Sequence, residues 1–274
     1  TPNMIHIRMH QMPIFNTRVT SLYYEIRKAR SLNHHPIPII FLHGAGGNSA
    51  SWFNQLAFFS EKFDCIAPDQ RGFGRSESTT SKLTVEQFSN DLIALLDHLK
   101  ISKVHLVGQS MGGYTALRFA RDVPERVESL ILSCSNGMID HRNDPSLTPS
   151  FDVIKKRTEN NVPWGWSTKS KKNLQLMELY DIIRNFNQNI ISAQNVFQRR
   201  CVDLIASKDL KKITCPTLIL SGEDDPLFPE KLLNKCASLF PNGRHMMFEG
   251  VGHSPYFENP EAFNQVLLNQ IIST

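Results

Sequence analysis

The sequence predicts an α/β protein: a doubly wound, mostly parallel sheet with helices on both faces and a helical insertion. Three observations carry this. Short, almost wholly apolar runs recur along the chain, helical patterns lie between most of them, and from about 136 to 212 the alternation stops. Ile5, Ile7 and Met9 alternate as an extended segment does, and 22–26 forms a second short strand. The run 37–42 ends at His43-Gly44 and has the continuous apolar character of a strand buried on both faces. Similar runs follow at 63–67, 103–107, 127–132, 216–221 and 245–248. Trp52, Leu56 and Phe59 fall at helical spacing and read as core.

The clearest helix covers 84–100. Thr84 is its N-cap, Glu86 and Gln87 stand in its first turn, and Val85, Phe88, Leu92, Leu95, Leu96 and Leu99 form one apolar stripe. Residues 258–272 repeat that logic with Phe263, Val266, Leu267 and Ile271. The stretch 136–212 has no convincing strand, holds Trp164 and Trp166, and shows one helical stripe in Leu174, Met177, Tyr180 and Ile183. These features divide the chain into an α/β core, 1–135 and 213–274, and a helical cap insertion, 136–212.

Composition excludes several classes. With 41% hydrophobic residues and a net charge of only +4, the 274-residue chain is not a disordered polyion, and its charge is too dilute for a nucleic-acid face. No apolar run reaches the roughly 18–20 residues that span a bilayer. The opening TPNMIHIRMH lacks a basic-then-apolar leader pattern, and a start at Thr leaves processing open. The cysteines at 65, 134, 201, 215 and 236 are odd in number and contain no Cys-x-x-Cys pair. They read as reduced thiols, which points to the cytoplasm. The charge is uneven: 136–212 carries 13 Lys/Arg against 8 Asp/Glu.

The chemistry concentrates at strand ends. Gly108-Gln109-Ser110-Met111-Gly112 follows a buried strand and opens a helix over 113–122, the context in which a G-x-S-x-G turn exposes a serine hydroxyl. That hydroxyl needs a neighbouring base to become a nucleophile. His253, in Gly250-Val251-Gly252-His253-Ser254 after the last strand, is the candidate. A base of this kind needs an orienting carboxylate, and Glu223, Asp224 and Asp225 compete at the end of the strand before it. The loop Gly44–Gly47 is neither a P-loop nor G-x-G-x-x-G, and no histidine–carboxylate cluster has zinc spacing, so no cofactor and no metal are expected.

The sequence resembles the α/β-hydrolase superfamily. The matching stretches are His43-Gly44-Ala45-Gly46-Gly47, Asp69-Gln70-Arg71-Gly72-Phe73-Gly74-Arg75-Ser76, 108–113, 222–229 and 250–253, in family order. The resemblance selects Asp225 as the acid, because its pattern is Gly-x-x-Asp with a proline four residues later, and leaves Asp224 a loop or cap role. It implies a catalytic set of Ser110, Asp225 and His253, with an oxyanion hole made by the backbone N–H groups of Ala45 and Met111. It implies a structural role for His43 and an architectural one for 69–76.

The leading expectation is hydrolysis of a small-molecule ester or ester-like bond through an acyl-enzyme. Dehalogenase and epoxide-hydrolase relatives use an aspartate nucleophile, and Ser110 argues against both. Carbon–carbon bond hydrolases of ring-cleavage products share the triad and cap, but usually have a longer glycine-rich loop than 43–47 and Asn where Gln109 stands. A lactonase or a cofactor-free haloperoxidase-like enzyme fits the same triad. A slow-turnover ligand receptor is the alternative of another class. Met138, Phe151, Trp164 and Trp166 are the candidate pocket residues; the positive charge of 136–212 reads first as a solvated basic surface at 155–157 and 169–172, with steering of anionic substrates as the alternative.

Overall fold

A computed structural model describes residues 13–17, 19–31, 36–78, 83–159, 165–187 and 204–274. Its eight strands are β1 (Ile14–Asn16), β2 (Ser21–Arg27), β3 (Ile39–Leu42), β4 (Cys65–Pro68), β5 (Val104–Gln109), β6 (Val127–Ser133), β7 (Thr217–Gly222) and β8 (Gly243–Phe248). They form one sheet in the order β1-β2-β4-β3-β5-β6-β7-β8. β1–β2 and β2–β4 are antiparallel, and every later pair is parallel. Burial explains the sequence pattern. Every residue of β3, β4, β5 and β7 is buried, so these strands are continuous apolar runs, whereas edge strand β8 alternates half-buried and exposed positions over most of its length.

The helices named next divide between the two faces. One core packs Phe88, Leu92 and Leu95 of α2 (Val85–His98) with Tyr114 and Leu117 of α3 (Met111–Asp122), and it includes Leu233 and Cys236. The other packs Leu56 and Phe59 of α1 (Phe53–Phe59) with Trp52, Phe41 and Phe248, and includes Phe263, Leu267 and Ile271. Trp52 is fully buried, its ring centroid 5.1 Å from Phe41 and 4.4 Å from Tyr256. At the start of α2 the Thr84 hydroxyl accepts from Gln87 N, and the Gln87 carboxamide accepts from Thr84 N, so two otherwise orphaned donors are satisfied.

Between β6 and β7 the described elements are helical: α4 (Phe151–Glu159), α5 (Leu174–Arg184) and α6 (Ser207–Leu210). The one isolated β-bridge outside the named strands among the described residues, Ile139 to Ile205, also lies here. After β7 come α7 (Glu230–Ser238), α8 (Pro255–Glu258) and α9 (Pro260–Ile272). The helix expected over 258–272 is present as α9 and starts two residues later, at Pro260, after Asn259, whose side chain accepts from Ala262 N. The alternation at Ile5 to Met9, together with Trp164 and Cys201, lies outside the described residues.

Candidate active site

Ser110 stands between the end of β5 and the start of α3, at φ 51° and ψ −114°. A non-glycine residue in this region carries strain of about 1–3 kcal/mol, so its surroundings must over-determine it. They do. Ser110 N donates to Ser133 O at 2.9 Å, and Ser110 O accepts from Gly113 N at 2.9 Å and from Ser135 Oγ at 2.7 Å. A Cβ on Gly112 would collide with the backbone of Leu42 and His43, and one on Gly108 with the backbone of Gly112 and Gly113, so both positions require glycine. The side chain is left at the N-terminus of α3, where the helix dipole favours negative charge.

The acid and the base meet from two strand ends. His253 Nδ1 lies 2.8 Å from Asp225 Oδ2, both side chains being nearly or fully buried. The other carboxylate oxygen, Asp225 Oδ1, accepts from Leu227 N at 2.9 Å and Phe228 N at 3.3 Å. The Phe228 ring stacks on the imidazole at a centroid distance of 5.9 Å. The competing acids are committed elsewhere: Glu223 accepts from Gly250 N at 2.8 Å and Asp224 from Thr168 N at 2.9 Å. Cys134 Sγ joins Asp225 and His253, the three ligand-type atoms all lying within 4.8 Å of one another. Burial holds the Cys134 thiol well above its ordinary pKa, with the Asp225 carboxylate adding to the effect. It is therefore a protonated neighbour of the pair.

Ser110 and His253 are tied together by a residue whose side-chain role the sequence did not reveal. Gln109 Nε2 donates to His253 O at 2.9 Å, joining the serine turn to the histidine loop. Gly44 makes room for this, since a Cβ there would overlap the Gln109 carboxamide and lie 3.1 Å from Ser110 Cβ. The loop carrying Ala45 therefore runs directly beside Ser110. It is braced from behind: Gln70 N donates to His43 Nε2 at 2.9 Å, and His43 Nδ1 lies 2.8 Å from Gly44 O. With Nε2 accepting, the proton sits on Nδ1, and burial lowers the His43 pKa, keeping the ring neutral. Asp69 accepts from Ser49 N and Arg75 N at 2.6 and 2.8 Å, so the 69–76 stretch serves as loop architecture.

The pocket candidates separate. Met138, in the left-handed region at φ 65°, and Phe151 pack with the α2–α3 core, which also holds Met111 and Ala45. Trp166 is half-buried on the other side, 5.0 Å from Tyr180 and 6.2 Å from Phe257 between ring centroids. Trp164 lies outside the described residues. The 136–212 stretch also touches the site through its backbone: Gly165 O accepts from His253 N at 2.6 Å. Local sequence held no signal for this contact, because the two residues are brought together only by tertiary packing.

A family model described as the alpha/beta hydrolase fold matches residues 37–179 and 172–260. The chain belongs to the alpha/beta hydrolase family. It is similar to a Pantoea ananatis protein named for carbamate hydrolysis, 27% identical over 260 residues, covering 90% of this chain and 92% of that one. It is also similar to 3-oxoadipate enol-lactonase 2 of Acinetobacter baylyi, 27% identical over 84% of this chain and 86% of the relative. Among solved structures, a thermophilic esterase from Thermogutta terrifontis superposes with a TM-score of 0.77 at 25% identity, covering 93% of this chain and 94% of that chain. As an alpha/beta hydrolase with these relatives, the protein is an enzyme and a hydrolase. Among the described residues, no helix is long and apolar enough to cross a membrane.

Proposed function

We propose that this hydrolase cleaves a small-molecule carboxylic ester, or an ester-like bond such as a lactone, through an acyl-enzyme on Ser110. The observation that carries the reading is the 2.8 Å contact between His253 Nδ1 and Asp225 Oδ2 on a histidine loop that Gln109 joins to Ser110. Asp225 keeps the proton on Nδ1, which leaves the Nε2 lone pair to take the Ser110 proton during attack on the carbonyl. The Ala45 and Met111 N–H groups hold the oxyanion of the tetrahedral intermediate, each worth about 3–4 kcal/mol. Collapse expels the alcohol, which takes its proton from His253. Water, deprotonated by the same imidazole, then releases the acid. The 136–212 segment acts as a cap that excludes water and supplies much of the pocket wall.

The enol-lactonase relative supports including cyclic esters within this chemistry. The test is direct. A fluorophosphonate probe is expected to label Ser110, and Ser110→Ala is expected to lose p-nitrophenyl ester hydrolysis by several orders of magnitude, down to the roughly 10³–10⁴-fold acceleration over water that binding and the oxyanion hole retain. Turnover near wild type in Ser110→Ala would refute the mechanism.

A further inference from the structure

Helix α5 crosses between the two loops that flank Ser110. Its Tyr180 ring packs against Phe257, four residues after His253, at 5.1 Å between ring centroids. One helical turn later, at the i+4 position that shares a helix face, Arg184 reaches the opposite loop. A Cβ placed on Gly46 would lie 3.4 Å from Arg184 Nε, and Gly46 itself is at φ +82°. The guanidinium therefore rests on bare backbone of the loop that carries Ala45.

This placement is fixed on both sides of Arg184 in sequence. Asn48 Nδ2 donates to Ile183 O at 2.7 Å, Asn187 Nδ2 donates to Gly46 O at 2.7 Å, and Gly74 N donates to Asn187 Oδ1 at 2.6 Å. Among the described residues, the carboxylate paired with Arg184 is Asp181, at 4.0 Å, with 53% and 68% of the two side chains exposed. A pair this long and this exposed is weak and screened, and it leaves the guanidinium fork available.

We propose that Arg184 is an anion subsite of the active site, and that the substrate is an ester carrying a carboxylate a short methylene spacer away from the scissile carbonyl. This rests on the reading of Ser110 as nucleophile. Gly44 lies beside Ser110 Cβ, Gly46 lies beside Arg184, and both glycines belong to one tight turn closed by Gly47 N donating to Gly44 O at 3.0 Å, so the nucleophile and the guanidinium border the same turn. A guanidinium presents two parallel N–H donors to a carboxylate, which binds it with defined geometry as well as charge. The 136–212 stretch to which Arg184 belongs carries 13 Lys/Arg against 8 Asp/Glu, an excess of the same sign.

The test compares p-nitrophenyl hemiglutarate with p-nitrophenyl pentanoate, the same carbon chain with a methyl in place of the carboxylate. Affinities are measured by calorimetry on the Ser110→Ala protein, so that binding is read without turnover. The hemiglutarate is expected to bind about tenfold tighter, by an amount that shrinks with added salt. Arg184→Gln in the same background is expected to abolish that preference, and Arg184→Lys, which keeps the charge, to retain part of it. Equal affinity for the two esters, binding of neither, or a preference unchanged in Arg184→Gln overturns the subsite. Failure of the wild-type protein to cleave either ester counts against the proposed function instead, because the calorimetry does not depend on cleavage.

Discussion

Asp225→Asn tests the charge arrangement of the site with the smallest change of shape. In the native protein Asp225 Oδ1 is held by two backbone donors, Leu227 N at 2.9 Å and Phe228 N at 3.3 Å, while Oδ2 faces His253 Nδ1 at 2.8 Å. An asparagine keeps its carbonyl toward the two backbone N–H groups, since flipping the amide would break both bonds. Its NH₂ group then faces Nδ1 and must donate to it. The imidazole is forced into the tautomer protonated at Nε2, which has no lone pair to accept the Ser110 proton. The expected loss is about 10⁴ in kcat, about 5.5 kcal/mol of barrier at 1.36 kcal/mol per decade. Asp224→Asn is the control. Among the described residues its carboxylate accepts a backbone bond from Thr168 N, at 2.9 Å, which an asparagine oxygen also accepts, so kcat is expected to stay within about threefold. Both variants are assayed on a p-nitrophenyl ester, with melting temperature measured alongside. Equal losses in the two variants, or the reverse order, would refute the assignment of the acid.

Two further outcomes are expected. Burial lowers the His105 pKa from 6.5 to about 4, where its Nδ1 contacts Ser129 Oγ at 2.8 Å. A depressed folded-state pKa means that protons bind the unfolded chain more tightly, so this stability is present above pH 6.5 and is lost as pH falls toward 4; over that window the unfolding free energy of wild type should fall by about 3 kcal/mol relative to His105→Gln. A wild-type-minus-variant difference that stays flat between pH 7 and 4 in urea titrations would refute it. Trp166→Ala removes a ring that packs against Tyr180 and Phe257 beside the histidine loop. It is expected to change relative kcat/KM across acyl chain lengths by about tenfold while altering the rate of probe labelling at Ser110 less, and an unchanged chain-length profile would remove Trp166 from the pocket.

The parallel sheet was legible because its central strands are buried on both faces. Residues 39–42, 65–68 and 217–222 leave no polar position to confuse the pattern, apart from threonine, serine, glycine or proline near the ends. The start of α9 was set two residues early because its apolar stripe begins only at Phe263 and does not mark the first turn, whereas Asn259-Pro260 is a helix-start signal when weighed locally. The serine turn was legible because two glycines must flank it for backbone reasons. Gln109, Arg184 and Cys134 escaped notice as possible partners for the opposite reason. Each acquires its relation to the site from a contact distant in sequence, with His253, Gly46 and Asp225 respectively, and no local pattern encodes such a contact.

The same distant contacts bear on how specificity and chemistry can be separated in this enzyme. The segment between β6 and β7 is bonded to every loop of the candidate site. Gly165 O receives the His253 N–H, Thr168 N binds Asp224 next to the proposed acid, and Asn187 grips Gly46 next to Ala45. A cap attached only at its ends could exchange pocket side chains freely while the core kept its geometry. Here a substitution that shifts the backbone of 165–168 also shifts the imidazole, and catalytic constellations tolerate displacements of only about 0.5 Å. Side chains that project from the segment without carrying these backbone bonds, Trp166 and Arg184 among them, are therefore the positions at which substrate preference can change with least loss of kcat. Changes at Gly165 or Asn187 must alter turnover for every substrate together.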